Sequence, residues 1–199
     1  MFEAVVTLCL MGGDRCRDVL LPGYEAAEIE DCSSSLLATP PDLASFSRYD
    51  RRTPRCAPSG VTLAFTEAAP GVFVHRGQIQ EPDVANGGDV ANIAFVIGGA
   101  SVAVIDTGSA RWVGEAVWRA IRARTDLLVS HVILTHMHPD HVLGAEVLAE
   151  TGAQVVGHAG LERALADRRE NYLESLRDLI GPGQFIGTET VKVDIPVAD

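Results

Sequence analysis

Three imidazoles and a carboxylate stand within six consecutive positions, His136-Met137-His138-Pro139-Asp140-His141, directly after the apolar run His131-Val132-Ile133-Leu134. That run reads as a short buried strand, and His141 to Glu150 as a helix with Val142, Val147 and Leu148 turned inward. The cluster therefore sits at a strand–helix junction. Imidazole nitrogen and carboxylate oxygen are the usual ligands of zinc and other divalent first-row metals. On extended chain, residues two apart share a side, so His136 and His138 are placed to grip one ion. Asp140 is expected at the helix N-cap and His141 in the first turn, both aimed back over the same strand end. The pattern offers two adjacent metal positions.

The surrounding sequence alternates strands with helices. Val61–Phe65 and Gly71–Val74 read as strands around a Pro70-Gly71 turn. Ile93–Ile97 and Ser101–Ile105 flank Gly98-Gly99 as a hairpin. Arg111–Arg122 carries Trp112, Val113, Ala116, Val117, Ala120 and Ile121 at helical spacing, Gln154–Val156 reads as a strand, and Gly160–Ile180 as a long amphipathic helix. This pattern argues an α/β domain over residues 60–199. Before it, Phe2–Leu10 reads as a buried strand or helical turn and Tyr24 to about Leu37 as a short helix. The polar, arginine-bearing stretch 45–59 has linker composition, giving a separate segment 1–59 with a boundary near Gly60.

All four cysteines, Cys9, Cys16, Cys32 and Cys56, fall in that first segment. Their spacing matches no zinc knuckle, leaving a disulfide-stapled region or four buried thiols. No signal peptide is read at the N-terminus. Sixteen Lys and Arg against 27 Asp and Glu give a net charge of −11. Such a field repels a phosphate backbone and an anionic membrane surface, so neither nucleic acid nor membrane is expected as a partner. A small-molecule substrate is the expected ligand.

The motif T-H-x-H-x-D-H at Thr135–His141 resembles the signature of the metallo-β-lactamase superfamily. The flanks agree: the hairpin N-I-A-F-V-I-G-G leads into Val104-Ile105-Asp106-Thr107-Gly108, then a helix, then the metal motif. The resemblance covers residues 61 to 199. It implies an αβ/βα sandwich holding one or two zinc ions, with His136 and His138 on the first metal and Asp140 and His141 on the second. Asp140 would also hold the reacting water as the catalytic residue. Asp106 matches the family's aspartate at a strand end, as an orienting group behind the ligands; a turn-forming role before Thr107-Gly108 stands beside it. A histidine at 138, rather than glutamate, resembles the hydrolase branch and not the diiron flavoprotein branch. F-E-A-V-V-T-L-C-L, C-R-D-V-L-L-P-G-Y-E-A and V-F-V-H-R-G are similar to the quinoprotein relay system zinc metallohydrolases, a resemblance that implies export to the periplasm and disulfides among the four cysteines.

A complete domain of this family supplies a further His, a bridging Asp and a final His from a second αβ half. No histidine follows His158, so the expectation is the N-terminal half of the sandwich, with a sheet face left open to self-association. His158 is weighed as a third ligand or orienting group against a packing role. His75 and His131 are read as structural or solvated, and Asp194 as solvent-facing. Two functions follow as expectations. One is a zinc metallohydrolase in which activated water attacks an ester, thioester or amide. The other is a non-catalytic half-domain that binds metal weakly or needs a partner chain.

Overall fold

The computed structural model describes residues 1–198 and resolves into two sheets. The first is built from β1 (Phe2–Cys9), β2 (Cys16–Ala26), β3 (Asp50–Arg51) and β4 (Arg55–Pro58), with α1 (Ile29–Ala38) packed on it. β1 lies in the middle, antiparallel to β2 along one edge and to β3 and β4 along the other. Ala4, Val6, Leu8, Val19 and Leu21 bury one face against Cys32 and Phe46. Disulfides join Cys9 to Cys16 across the β1–β2 hairpin and Cys32 on α1 to Cys56 on β4. The stapled alternative is therefore the one realised.

The second sheet has seven strands: β5 (Thr66–Ala69), β6 (Val72–His75), β7 (Ile93–Ile97), β8 (Val102–Ile105), β9 (Val129–Ile133), β10 (Gln154–His158) and β11 (Ile195–Val197). They stand in the spatial order β11-β10-β9-β8-β7-β6-β5. Neighbours from β5 to β8 are antiparallel, and those from β8 to β11 are parallel. The parallel crossovers carry α2 (Arg111–Arg122), the short α3 (Pro139–Val142) and α4 (Ala145–Ala149), and α5 (Leu161–Ile180). Ile93, Phe95, Val102, Val104, Val132 and Val155 meet Val113, Val117, Ile121, Leu148, Leu165 and Ile180 in one core. This is the expected α/β architecture with a cysteine-containing N-terminal segment. On the other sheet face Val74, Ala94, Ile105, Ile133, Val156 and Ile195 stand in register across six strands, a wholly apolar row.

Four sequence readings change. Residues 45–59 are not a linker: β3 and β4 pair with β1, Phe46 is buried, and Cys56 is bonded to Cys32. Their polar composition reflects an edge position, where side chains point to water. The helix expected from Tyr24 starts later, because Tyr24–Ala26 continue β2 and Ala26 pairs with Phe2. Val61–Phe65 form no strand; Leu63 enters the core instead, and the strand is Thr66–Ala69. Finally, 141–150 is two short helices broken at Gly144, where the chain turns to bond Gly108.

An ionic seam fastens the two sheets. Arg111 and Glu115 of α2 are fully buried, although the apolar stripe alone places only one face of α2 inward. β2 is an edge strand, and α2 satisfies its outer backbone: Leu20 N–H donates to Glu115 at 3.2 Å and Leu20 carbonyl accepts from Arg111 at 3.0 Å. Arg17 of β2 grips Glu115 at 2.7 and 3.1 Å, Arg111 forks onto Glu150 at 2.7 Å twice, and Arg119 forks onto Glu3 of β1. Burial pushes the Glu115 carboxyl up, but Arg17, Arg111 and Arg119 outweigh it and hold the group below the usual carboxylate range. Removing one member strands the others, and breaking a buried pair costs about 3–5 kcal/mol. Glu115→Ala is expected to destabilise the fold by that amount in urea unfolding. A loss under about 0.5 kcal/mol, the value of a surface pair, would contradict the seam.

A second buried titratable group sits at the end of β6. His75 Nδ1 faces the Ala64 carbonyl at 2.9 Å and Nε2 faces the Asp89 carboxylate at 2.7 Å. Two acceptors need two N–H donors, so the imidazolium is the form this pocket fits. The hydrogen bond to Asp89 raises its pKa against the opposing effect of burial. A raised folded pKa means the stabilisation is full below the ordinary histidine value and fades as pH climbs through the raised one. The urea midpoint is expected to fall over that alkaline-going window, and His75→Gln should flatten the fall. An unchanged profile in the variant would contradict it.

Candidate metal centre

The site lies outside the carboxyl ends of β8, β9 and β10, the usual crevice for ligands in a parallel sheet. Asp106 follows β8 directly and has φ +57°, a left-handed backbone that Asp tolerates better than most residues. Its position is fixed by backbone on both sides. Asp106 N–H donates to the Ile133 carbonyl at 2.9 Å, and Thr107 N–H donates to the His141 carbonyl at 2.8 Å. Gly144 N–H donates to the Gly108 carbonyl at 3.2 Å. This contact needs glycines: a Cβ on Gly144 would meet the Thr107 oxygen at 2.1 Å, and one on Gly114 of α2 would meet the Gly144 oxygen at 2.1 Å. Main-chain contacts thus help to seat the motif on the β8 end, beside the Thr107 hydroxyl, which donates to the His141 carbonyl at 3.0 Å.

The Asp106 carboxylate is buried and fully occupied. Oδ1 accepts from Thr135 N–H at 2.9 Å, Thr135 Oγ1 lies 2.8 Å from Oδ2, and His141 Nδ1 lies 2.8 Å from Oδ2. An ionised carboxylate only accepts, so the Thr135 hydroxyl donates to it, and so does His141 through Nδ1–H. The Thr135 oxygen is then an acceptor for His136, whose Nδ1 stands 2.9 Å away. One carboxylate therefore fixes two tautomers, each with its proton on Nδ1 and its lone pair on Nε2. Sequence reasoning gave Thr135 no role; its place immediately before His136 was the only signal. Asp106 is read from the sequence both as an orienting group and as a turn former; its carboxylate bonds Thr135 and His141, and its backbone is left-handed at the β8 end.

The structure brings the motif's side chains together. Ring centroids lie 4.2 Å apart for His136 and His141, and 4.6 Å for His136 and His138. Asp140 Oδ2 is 3.4 Å from His141 Nε2. Asp106, His136 and His141 each place one donor atom within 4.8 Å of the others, a group that could hold one cation, and His138 and Asp140 fall outside it. The donor chemistry, imidazole nitrogen with carboxylate oxygen, fits zinc. Burial and then the neighbouring His141 and His138 rings lower the pKa of His136, which keeps it in the neutral form a metal requires. Burial acts to lower His141 as well, but the hydrogen bond and charge of Asp106, with Asp140, raise it overall.

One detail differs from expectation. His138, with extended backbone, is the N-cap of α3, Pro139 takes the first helical position, and Asp140 lies inside the first turn. Proline suits that position because its missing N–H would have no helical partner. His158 ends β10 and borders a cavity shared with His136; its Nδ1 accepts from Gly160 N–H at 3.0 Å. His75 and His131 lie elsewhere, bonded to Asp89 and to Ser130. Asp194 is exposed yet tied to β10, its carboxylate accepting from Val155 N–H at 2.8 Å.

Comparison with known proteins bears on this arrangement. No curated protein matches the chain. Among solved structures, that of TMB-1 is 24% identical with a TM-score of 0.44, covering 54% of this chain and 48% of its own. The chain thus spans about half the length of that protein. The family profile described as the metallo-β-lactamase superfamily matches residues 86–197, which takes in Asp106, the whole His136–His141 cluster and His158. With more than half of its length matched, the chain belongs to the metallo-β-lactamase superfamily.

Proposed function

We propose that the chain is the metal-binding part of a zinc-dependent hydrolase acting on an ester, thioester or amide of a small molecule. The observation that carries this reading is the double tautomer lock by Asp106, which readies His136 and His141 to present Nε2 to one cation. Zinc at this place would lower the pKa of a water towards about 7 and polarise a carbonyl oxygen. His136, His138, Asp140 and His141 are the residues that would hold one or two ions. The chain's own part is orientation: Thr135 and Asp106 fix the rings, and the Gly144 contact fixes the motif against β8. Asp140, beside His141 Nε2 and less tied than Asp106, is the carboxylate placed to accept a proton from the attacking water.

A second reading is favoured by one observation. The grouped donors found among the described residues are three, all from positions 106–141, and two of them, Asp106 and His141, are already hydrogen-bonded to each other, which leaves an ion short of the three protein ligands a catalytic zinc usually takes. On this reading the chain holds metal loosely and completes its site with another polypeptide. Self-association through the open sheet face is supported by the apolar row from Val74 to Ile195.

Metal binding is tested by competition with a chromogenic chelator. We expect less than one equivalent of tight zinc after dialysis against a weak chelator, and Asp106→Asn should weaken the remaining affinity about 10–100-fold. Asparagine keeps the left-handed backbone, so the change isolates the carboxylate. Equal affinity in wild type and variant would contradict the orienting role. The reaction is tested with zinc-loaded chain on a generic ester and a β-lactam. Turnover above free zinc that His138→Ala removes supports a self-sufficient hydrolase. Turnover equal to free zinc supports the second reading.

A further inference from the structure

β9 and β10 run side by side with Ile133 opposite Val156, and then their chains diverge. β9 leads into the His136 motif, whereas β10 leads through His158 into α5. The divergence leaves an open cavity of about 320 Å³ bordered by Thr135, His136, Met137, His158, Gly160, Leu161 and Ala164. That volume lies at the low end of the range for small-molecule sites. Much of the wall is apolar. Met137 packs against the main core, Leu161 is buried, and Ala164 lies one turn further along α5. These side chains offer no partner to a charged or strongly polar group, which would be costly to desolvate there. The polar groups on the lining are the Thr135 hydroxyl and the imidazoles of His158 and His136, and His136 belongs to the metal centre.

We propose that this cavity is the subsite for an unbranched apolar side group of the substrate, flanking the carbonyl that reacts at the histidine cluster. The inference rests on the function proposed above, and it adds a substrate class: esters, thioesters or amides carrying an aliphatic chain. Met137 is the residue that links the two regions, since it stands between His136 and His138 and also walls the cavity. Its thioether adapts to ligands of different shape more readily than a branched side chain. Ala164 sets the depth, because a larger residue there would fill the space.

The chain has three methionines, and Met1, before β1, and Met11, in the β1–β2 turn, are exposed at 54% and 68%. Methyl-¹³C-methionine NMR therefore reads the cavity with two internal controls and no need for activity. In metal-free protein, 1-hexanol should shift the Met137 methyl saturably and leave Met1 and Met11 in place. Affinity should rise about threefold to fourfold per methylene from 1-butanol to 1-hexanol, and Ala164→Trp should abolish the response. The wild-type alcohol series stands even if the variant does not fold. On zinc-loaded protein, hexanohydroxamate should then bind at least tenfold more tightly than acetohydroxamate. A Met137 shift that appears only together with those of Met1 and Met11, or no dependence on chain length, overturns the cavity as a binding site. Alcohol binding with hydroxamate affinity independent of length overturns its link to the metal centre. Alcohol binding by a chain that takes up no zinc overturns the function proposed above and the substrate role with it.

Discussion

A single buried carboxylate organises this molecule. Asp106 ends β8, and its two oxygens accept from the Thr135 backbone, the Thr135 hydroxyl and the His141 ring. Those three bonds tie the ends of neighbouring parallel strands to the first turn of α3, and they do so in a place shielded from water. An unpaired carboxylate there would cost several times the net value of an ordinary hydrogen bond. The backbone accepts a left-handed conformation at Asp106 because the surrounding bonds determine it from several directions. The left-handed residue at the head of the histidine cluster thus presents its carboxylate to Thr135 and His141 from a fixed position.

The scaffold behind that carboxylate is rigid for two different reasons. Near the site the reason is steric: Gly114, Gly144 and Thr107 bring main chain against main chain, so α2, the motif and the β8 end are in direct backbone contact. Further away the reason is electrostatic. Arg111, Glu115, Arg17, Glu150, Arg119 and Glu3 form a seam with hydrogen-bonded members on both sides. Such a seam confers geometry more than net stability, since desolvating the charges offsets much of their attraction. It positions the N-terminal sheet against α2, where an apolar contact would allow sliding.

The metal cluster was legible because its residue types are rare neighbours and chemically committed. Its strand–helix setting followed from periodicity, and so did the alternation of strands and helices that makes the domain α/β. What stayed hidden had no local signature. Asp106 looked like a turn residue as much as an orienting group, because its partners lie 29 and 35 residues away. Thr135 is chemically ordinary until it stands between a carboxylate and an imidazole. The burial of the polar face of α2 had no sign in the sequence, since nothing in the spacing of Arg111 and Glu115 shows that β2 covers them. Residues 45–59 looked like a linker because edge strands expose their side chains. The split of the helix at Gly144 came from a backbone contact across the fold, which no helix propensity reports.

The central claim is that Asp106 sets the tautomers of His136 and His141. Long-range ¹H–¹⁵N correlation of the histidine rings tests it most directly, in metal-free protein at a pH high enough for both rings to be neutral. The account predicts Nδ1–H tautomers for both residues, with the His141 pattern lost in Asp106→Asn. An Nε2–H tautomer at either ring in the wild-type protein would contradict it.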